Sequence, residues 1–207
     1  MAGGNYGWSR REGTFMHLPE GGLIEGVLPL RSDDAYNDYI YPAVQWGHTG
    51  EIGAGFVGQA TAGGHVIANG SALDGEYIFG DFALSGRLFH TSFAAMQDAI
   101  TSLDPNDPQR NGPEKLTQAP IGQLQILFDH DNDPTTPSLL HTTMKDIIDD
   151  EPSYDGSGRA DLRFGEGVNG ELYILNKRNG WIYLAVSTLP EEIDSEDNLL
   201  LYLPLIR

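Results

Sequence analysis

The 207-residue sequence contains no cysteine, few basic residues and no long apolar run. The absence of cysteine excludes disulfide bridges, zinc-thiolate sites and thiol catalysis. Twelve basic against thirty acidic side chains give a net charge of -18. Such a field repels phosphate backbones, so we expect neither nucleic acid nor an anionic membrane surface as a partner. The longest apolar stretch, residues 199–206, is far shorter than the roughly twenty residues of a membrane helix, so we expect no membrane insertion.

The N-terminus lacks the basic stretch followed by an apolar one that marks a signal peptide. Instead, the dense motif Asn5-Tyr6-Gly7-Trp8 begins only a few residues after Met1. We therefore expect the chain to begin within a domain.

Strand-like runs dominate what the sequence does contain. Its 26 glycines and 12 prolines favour tight turns over long helices. Short runs with aromatic or β-branched residues, bounded by Gly, Asn or Asp, predict strands at 52–57, 76–82, 87–93, 123–129, 160–164, 171–176 and 181–187. Helical spacing occurs at 93–103, and 142–150 is the other helix candidate. The sequence therefore predicts an all-β fold.

A hairpin pattern occurs twice along the chain. Leu73–Phe79 followed by Gly86–Phe89 matches Val168–Ile174 followed by Gly180–Tyr183. Antiparallel sheets repeated every few tens of residues, about 40–50 in ordinary cases, are typical of a β-propeller. The run Gly122–Phe128 lies almost midway and is interpreted as the outer strand that finishes the first blade. The alternative is a β-sandwich with two hairpins that are similar by chance.

The repeat predicts a single partial β-propeller domain of about two four-stranded antiparallel blades after a loop-rich N-terminal segment. Its parts are a loop-rich segment at 1–51, a blade at 52–129, an acidic connection at 130–159, a last blade at 160–187 and a C-terminal tail at 188–207. Two blades cannot close a ring, and they leave sheet edges and apolar faces open. We therefore expect self-association or completion by further blades.

Three motifs invite a chemical interpretation. Gly53–Gly58 matches G-x-G-x-x-G, but the Gly-rich segments on both sides do not provide the strand and helix of a dinucleotide site. Acidic residues occupy alternate positions at Asp129, Asp131 and Asp133, a spacing that can place oxygen ligands around a calcium ion. The loop is not an EF-hand, because it lacks the turn glycine and the terminal glutamate of that motif. The alternative for these acids is a solvated loop. His48 lies in a Gly-rich loop and is a candidate general base, with a ligand or a hydrogen-bonding strut as the alternatives.

Four patches of the chain carry a family resemblance. They are residues 5–8 with 11–15, 41–44 leading to His48 and 55–57, 75–82 with 85–87, and 159–165 with 170–175. In this order they resemble the glucose/sorbosone dehydrogenase-like proteins, six-bladed propellers related to the soluble pyrroloquinoline-quinone (PQQ) sugar dehydrogenases. The resemblance covers about residues 4–187 and concerns only the C-terminal part of that family.

The resemblance implies PQQ and calcium as cofactors, with a histidine that removes the sugar's hydroxyl proton while hydride passes to the quinone. It places the base and its aspartate upstream of residue 1. Arg87, Arg159 and Arg163 are the implied cofactor-binding residues. The sequence departs from the family where a lysine is expected, at 82–86, and at Ala160, which replaces a second arginine.

The leading interpretation is the C-terminal portion of a sugar-dehydrogenase-like propeller that is inactive alone. The alternative is a non-catalytic propeller module that binds carbohydrate, protein or calcium at a cell surface, because propellers serve many functions. A sugar or another small molecule is the expected ligand under the first interpretation. The resemblance implies an extracytoplasmic location, either periplasmic or secreted.

Overall fold

A computed structural model describes residues 3–17, 27–48, 57–133, 135–150, 158–186 and 200–204. The chain forms two compact units, one of Met1–Val57 with Ala94–Pro120 and one of Gly58–Phe93 with Ile121–Arg207. Within the described ranges the structure is mostly β-sheet, and its α-helices are two short ones. The predicted all-β class is therefore confirmed. No helix in these ranges is long and apolar enough to cross a membrane.

The first unit consists largely of loops around a small antiparallel sheet. Its strands are β1 (Arg11–Glu12), β2 (Phe15–His17) and β3 (Val27–Pro29), in that order. This unit also contains 3-10 helices at Ser32–Tyr36 and Pro113–Lys115 and strand β4 (Gly47–His48). Two further elements, β5 (Val57–Gly58) and helix α1 (Phe93–Asp98), each have residues in both units.

Polar contacts hold these loops together. The carboxylate of Asp34 is almost completely buried and is paired with the guanidinium of Arg11. The same guanidinium lies 4.9 Å from the centre of the Tyr39 ring. The amide of Ile40 donates to the carbonyl of Asn5 at 2.8 Å. A segment with few strands is thus ordered by one buried ion pair and its neighbours.

The second unit begins with a four-stranded antiparallel sheet in sequence order. Its strands are β6 (Thr61–Val66), β7 (Glu76–Asp81), β8 (Leu88–Ser92) and β9 (Gly122–Gln123). The strands predicted at 76–82 and 87–93 are confirmed. The predicted strand at 52–57 lies outside the described residues except for Val57.

The run that was expected to finish the first blade is divided between two sheets. Gly122–Gln123 pairs with β8, whereas β10 (Gln125–Asp129) pairs antiparallel with β11 (Leu139–His141) and parallel with β15 (Leu200–Pro204). Leu124, at the junction, still donates its amide to the carbonyl of Leu88 at 2.9 Å. The apolar residues of the run keep facing the core while the strand changes its partners.

The last blade predicted from sequence corresponds to an antiparallel sheet of three strands. They are β12 (Leu162–Glu166), β13 (Leu172–Asn176) and β14 (Ile182–Ala185). A bridge between Val186 and Tyr202 brings β15 next to the end of β14. Helix α2 (Met144–Asp149) begins at Thr143, whose side chain forms a capping box with Asp146.

The two repeated hairpins have the same turn geometry. Gly75 and Gly170, which precede β7 and β13, both have φ of 82°. Gly86 and Gly180, which precede β8 and β14, have φ of 64° and 75°. Side chains with a Cβ rarely adopt these angles, so the matching glycines preserve the backbone of each hairpin. The repeat read from the sequence is a structural repeat.

One apolar core fills the space between the sheets of the second unit. Strands of the first sheet contribute Ile78 and Leu88, and helix α2 contributes Ile147. The other fully buried side chains include Leu124, Ile126, Phe128, Met144, Ala160, Leu162, Ile174, Tyr183, Leu201 and Leu203. Strand β15, from the apolar C-terminal run, therefore buries Leu201 and Leu203 in this core.

The tightest constraint on the first sheet is at Gly64, within an irregularity of the β6–β7 pairing. A Cβ on Gly64 would lie only 1.5 Å from the carbonyl oxygen of Ile78. The neighbouring Gly63 has nothing within 4 Å of its corresponding position. We expect Gly64→Ala to lower the free energy of unfolding by about 3 kcal/mol or more, and Gly63→Ala by less than about 1 kcal/mol. Urea unfolding followed by tryptophan fluorescence measures both; equal losses would contradict this register.

Candidate functional site

Two of the three arginines predicted to bind a cofactor lie on one aromatic ring. The guanidinium carbons of Arg163 and Arg159 are 4.2 and 5.3 Å from the centre of the Phe82 ring. Arg159 also pairs with Asp161, Nε to Oδ1, at 3.1 Å. Cation–π contact of this kind is favourable and orients the planar guanidinium groups. Phe82 thus occupies the surface where the family resemblance led us to expect a lysine.

Arg87, the third predicted arginine, is half-buried in the turn before β8. Its amide donates to the Ser85 hydroxyl at 3.4 Å, and its carbonyl accepts from the amide of Asp81 at 2.9 Å. A cofactor with three carboxylates requires several fixed cations. The two arginines on Phe82 meet that requirement in part, because Asp161 already neutralises one of them. PQQ binding stays a prediction.

Ala160 has a structural reason to be small. Its side chain is completely buried, and a Cβ on Gly86 would lie 2.7 Å from the Cβ of Ala160. Its amide donates to the carbonyl of Leu84 at 3.1 Å, and its carbonyl accepts from the side chain of Asn176 at 2.6 Å. The position where the resembling family has an arginine is therefore part of the core here.

The acidic loop after β10 uses its carboxylates in hydrogen bonds to its own backbone. Asp129 Oδ1 accepts from the amides of Asp131 and Asn132, at 3.2 and 2.7 Å, and its Oδ2 accepts from the hydroxyl of Tyr202 at 3.0 Å. Burial, followed by the bond to Asp129, raises the pKa of the Tyr202 hydroxyl. Asp129 is therefore a buried structural acceptor rather than a solvated acid.

The other two acids of this loop are exposed and follow the same pattern. Asp131 Oδ1 accepts from the amide of Asp133 at 2.9 Å. The hydroxyl and amide of Thr135 donate to Asp133 Oδ1 and lower the pKa of that carboxyl. Among the residues the structure describes, no three acidic or histidine side chains are grouped to hold a metal ion. Calcium binding by this loop stays a prediction.

His48 ends the short strand β4. Its side chain lies outside the described residues, as does most of the Gly53–Gly58 motif. Its predicted role as a general base is therefore not tested by the structure.

The first unit contains a cleft that sequence reasoning missed. Its volume is about 340 Å³, and its walls combine apolar and uncharged polar side chains with one carboxylate. The lining includes Thr14, Phe15, Leu30, Glu114, Leu116 and Gln118. The residues come from β2, β3 and the segment around the second 3-10 helix, about 100 positions apart in sequence. No local pattern joins them, so only the fold could show the cleft.

Hydrogen bonds fix the polar side chains of this cleft. The amide of Thr14 donates to Gln45 Oε1 at 2.9 Å, and Gln45 Nε2 donates to Thr14 Oγ1 at 2.8 Å. This leaves the proton of the Thr14 hydroxyl available to a ligand. Gln118 Nε2 donates to the carbonyl of Pro42 at 3.5 Å, which leaves its Oε1 as an acceptor. The cleft therefore offers an oriented donor and an oriented acceptor beside apolar surface.

A pair of histidines in the second unit was also missed. His130 follows β10, and His141 ends β11. Their ring centres are 5.8 Å apart, and both rings contact the edge or face of Phe128. Burial lowers the pKa of His141, an effect that nearby Asp150 opposes.

Comparison of the chain with family models, with curated proteins and with solved structures gave no match.

The packing of Ala160 predicts that the arginine of the resembling family cannot simply be restored. We expect Ala160→Arg to lower the free energy of unfolding by about 3 kcal/mol or more, because it overfills the core and buries an unpaired charge. Ala94→Arg, on the exposed face of α1, is the matched control and changes stability by less than about 0.5 kcal/mol. Chemical unfolding measures both. A stable Ala160→Arg protein would show that this position can accept a cofactor-binding cation.

Proposed function

We propose that this chain is a carbohydrate-binding β-sheet protein and that the cleft of the first unit holds the sugar. The observation that carries the proposal is the composition of the cleft. Sugars present apolar C–H faces edged by hydroxyl groups, so they bind best where apolar side chains alternate with neutral donors and acceptors. The apolar side chains are those of Phe15 and Leu116, and the neutral donors and acceptors are those of Thr14 and Gln118.

The size and charge of the cleft restrict the ligand further. Small-molecule sites commonly enclose about 300–1,000 Å³, and this cleft, at about 340 Å³, lies at the small end. A mono- or disaccharide matches that size. Among the described residues of the lining, Glu114 is the one ionisable side chain, and it accepts hydrogen bonds from hydroxyl groups when ionised. A neutral sugar is therefore favoured over an acidic one.

Exposed aromatic side chains of the same unit support this ligand class. Tyr6, Trp8 and Tyr36 are 62%, 75% and 77% exposed. Aromatic rings with a polar atom are suited to contacts that are partly apolar and partly wet. Trp8 stacks on His17 with ring centres 5.3 Å apart, which orients the indole.

The resemblance to sugar dehydrogenases supports the same ligand class from a separate direction. This chain departs from that family at residues 82–86, where a lysine is expected, and at Ala160, which replaces a second arginine. We therefore propose sugar binding without oxidation for this chain, as a module of the non-catalytic kind. Sugar oxidation, PQQ and calcium belong to the resembling family and stay predictions for this chain.

Saturation-transfer NMR with glucose, galactose, mannose and maltose tests sugar binding. A monosaccharide of about 12 non-hydrogen atoms, at about 0.3 kcal/mol each, gives a Kd of roughly 1–3 mM. We expect Gln118→Ala to weaken binding by about 3–10-fold, because it removes one hydrogen-bonding side chain from the cleft. Gln109→Ala, at an exposed glutamine of a nearby loop, is the matched control and leaves binding unchanged. Equal effects of the two substitutions, or no transfer to any sugar, would contradict the proposal.

A dye-reduction assay tests the absence of oxidation. We expect no turnover of glucose or other aldoses by this chain with PQQ and calcium added, because a positioned base contributes about 10²–10⁴-fold and orientation of the reactants contributes more. The same preparation must bind sugar in the NMR experiment. Cofactor-dependent turnover that is abolished by His48→Ala would contradict this expectation and identify His48 as the base.

A further inference from the structure

The two histidines of the second unit come from opposite ends of the antiparallel β10–β11 pair, and both rings contact Phe128 between them. His141 pairs with Ile126 in the β10–β11 register, and His130 follows the last residue of β10. The ring of Phe128 lies 4.6 Å from that of His130 and 6.3 Å from that of His141, measured between centres. The two imidazoles are therefore held by strand pairing and by a shared aromatic neighbour.

Both imidazoles have a buried nitrogen that lacks a hydrogen-bond partner among the described residues. These atoms are His130 Nε2 and His141 Nε2. His141 as a whole is only 7% exposed. Buried polar atoms are paired in the large majority of cases, and leaving one unpaired costs about 1–3 kcal/mol. Two such atoms in adjacent rings point to a shared function.

The distance between the rings is compatible with two imidazoles on one metal ion. A histidine nitrogen binds zinc at about 2.0–2.1 Å, which places the centre of each ring roughly 3.2 Å from the ion. Two rings then have centres about 5.2 Å apart at a tetrahedral angle, and about 5.8 Å apart at an angle near 130°. The observed separation is 5.8 Å.

The other nitrogen of His141 lies near a carboxylate, at a distance longer than a hydrogen bond. Its Nδ1 is 3.8 Å from Asp150 Oδ2. Metal-binding histidines commonly direct the second ring nitrogen to a carboxylate, which orients the ring and leaves the first nitrogen with its lone pair. Asp129, beside His130, has both of its oxygens engaged in hydrogen bonds and is not needed as a ligand.

We propose that His130 and His141 bind one divalent transition-metal ion through their Nε2 atoms. Imidazole donors suit Zn²⁺, Cu²⁺ and Ni²⁺, whereas the hard oxygen donors that calcium requires are not part of this pair. No third acidic or histidine side chain joins the group within the described ranges, so these two imidazoles are the protein ligands that we propose there. The site is independent of the sugar cleft, since each is built within its own unit.

Zinc uptake by the full chain tests the proposal. The protein is prepared without a histidine tag and treated with a chelator, and Zn²⁺ is titrated in competition with a chromophoric indicator. We expect one Zn²⁺ per chain and at least about tenfold weaker uptake in His130→Ala and in His141→Ala. His17→Ala, which removes a histidine of the first unit, is the matched control and keeps full uptake. Zn²⁺ is expected to raise the Tm of the wild type and of His17→Ala, and not that of the other two.

A second measurement keeps the test independent of how the variants fold. Cu²⁺ added below stoichiometry to the wild type broadens NMR signals near its binding site. We expect the ring protons of His130 and His141 to broaden before those of His17, His65 and His90. Unchanged zinc uptake in folded His130→Ala and His141→Ala proteins, or copper broadening centred on other histidines, would overturn the proposal and leave the pair as packing residues.

Discussion

The second unit depends on the burial of one apolar core to which all three of its sheets contribute. The run from Gly122 to Asp129 carries this constraint, because Leu124, Ile126 and Phe128 all face the core while the backbone passes from β8 to β11 and β15. A strand has a period of two, so a slip of one residue would turn every one of these side chains to the wrong face. This register fixes the residue at which each strand ends. It therefore also fixes the position of His130, which follows β10, and of His141, which ends β11. Bends that move a strand from one sheet to another are a known solution for packed sheets.

Buried carboxylates are the second recurring device of this acidic chain. Asp81 accepts from the amides of Gln59 and Ala60 at 3.0 and 3.3 Å and from the hydroxyl of Ser85 at 3.0 Å. Asp129 accepts from two amides and a tyrosine hydroxyl in the same way, and Asp34 pairs with Arg11. A buried carboxylate is tolerated only when its oxygens are paired, and hydrogen bonds to an ionised acceptor are the stronger ones. Part of the large negative charge therefore organises loops.

The two candidate sites differ in how the chain builds them. The cleft of the first unit is made by loops whose polar side chains bond to one another, as Thr14 and Gln45 do. The histidine pair is attached to strands of a packed sheet. Loops that carry function are commonly held by a few specific bonds, whereas strand ends take their position from the core beneath them. The proposed sugar site and the proposed metal site therefore depend on different parts of the structure, and the binding of each ligand can be tested without the other.

The sequence by itself determined the fold class, the repeated hairpins and both helices, because these depend on contacts between neighbours: alternating apolar residues, and glycines at positive φ such as Gly75 and Gly170. It did not show β6, since Gly63 and Gly64 break the strand pattern, and only the approach of Ile78 in the fold explains why Gly64 is required. It suggested Arg159 and Arg163 as cofactor-binding residues. That both side chains lie over the ring of Phe82 became visible only in the fold. The division of Gly122–Asp129 between two sheets, the cleft and the histidine pair were decided by tertiary structure alone. Each joins segments distant in sequence, and no local propensity records which distant strand will share a buried face.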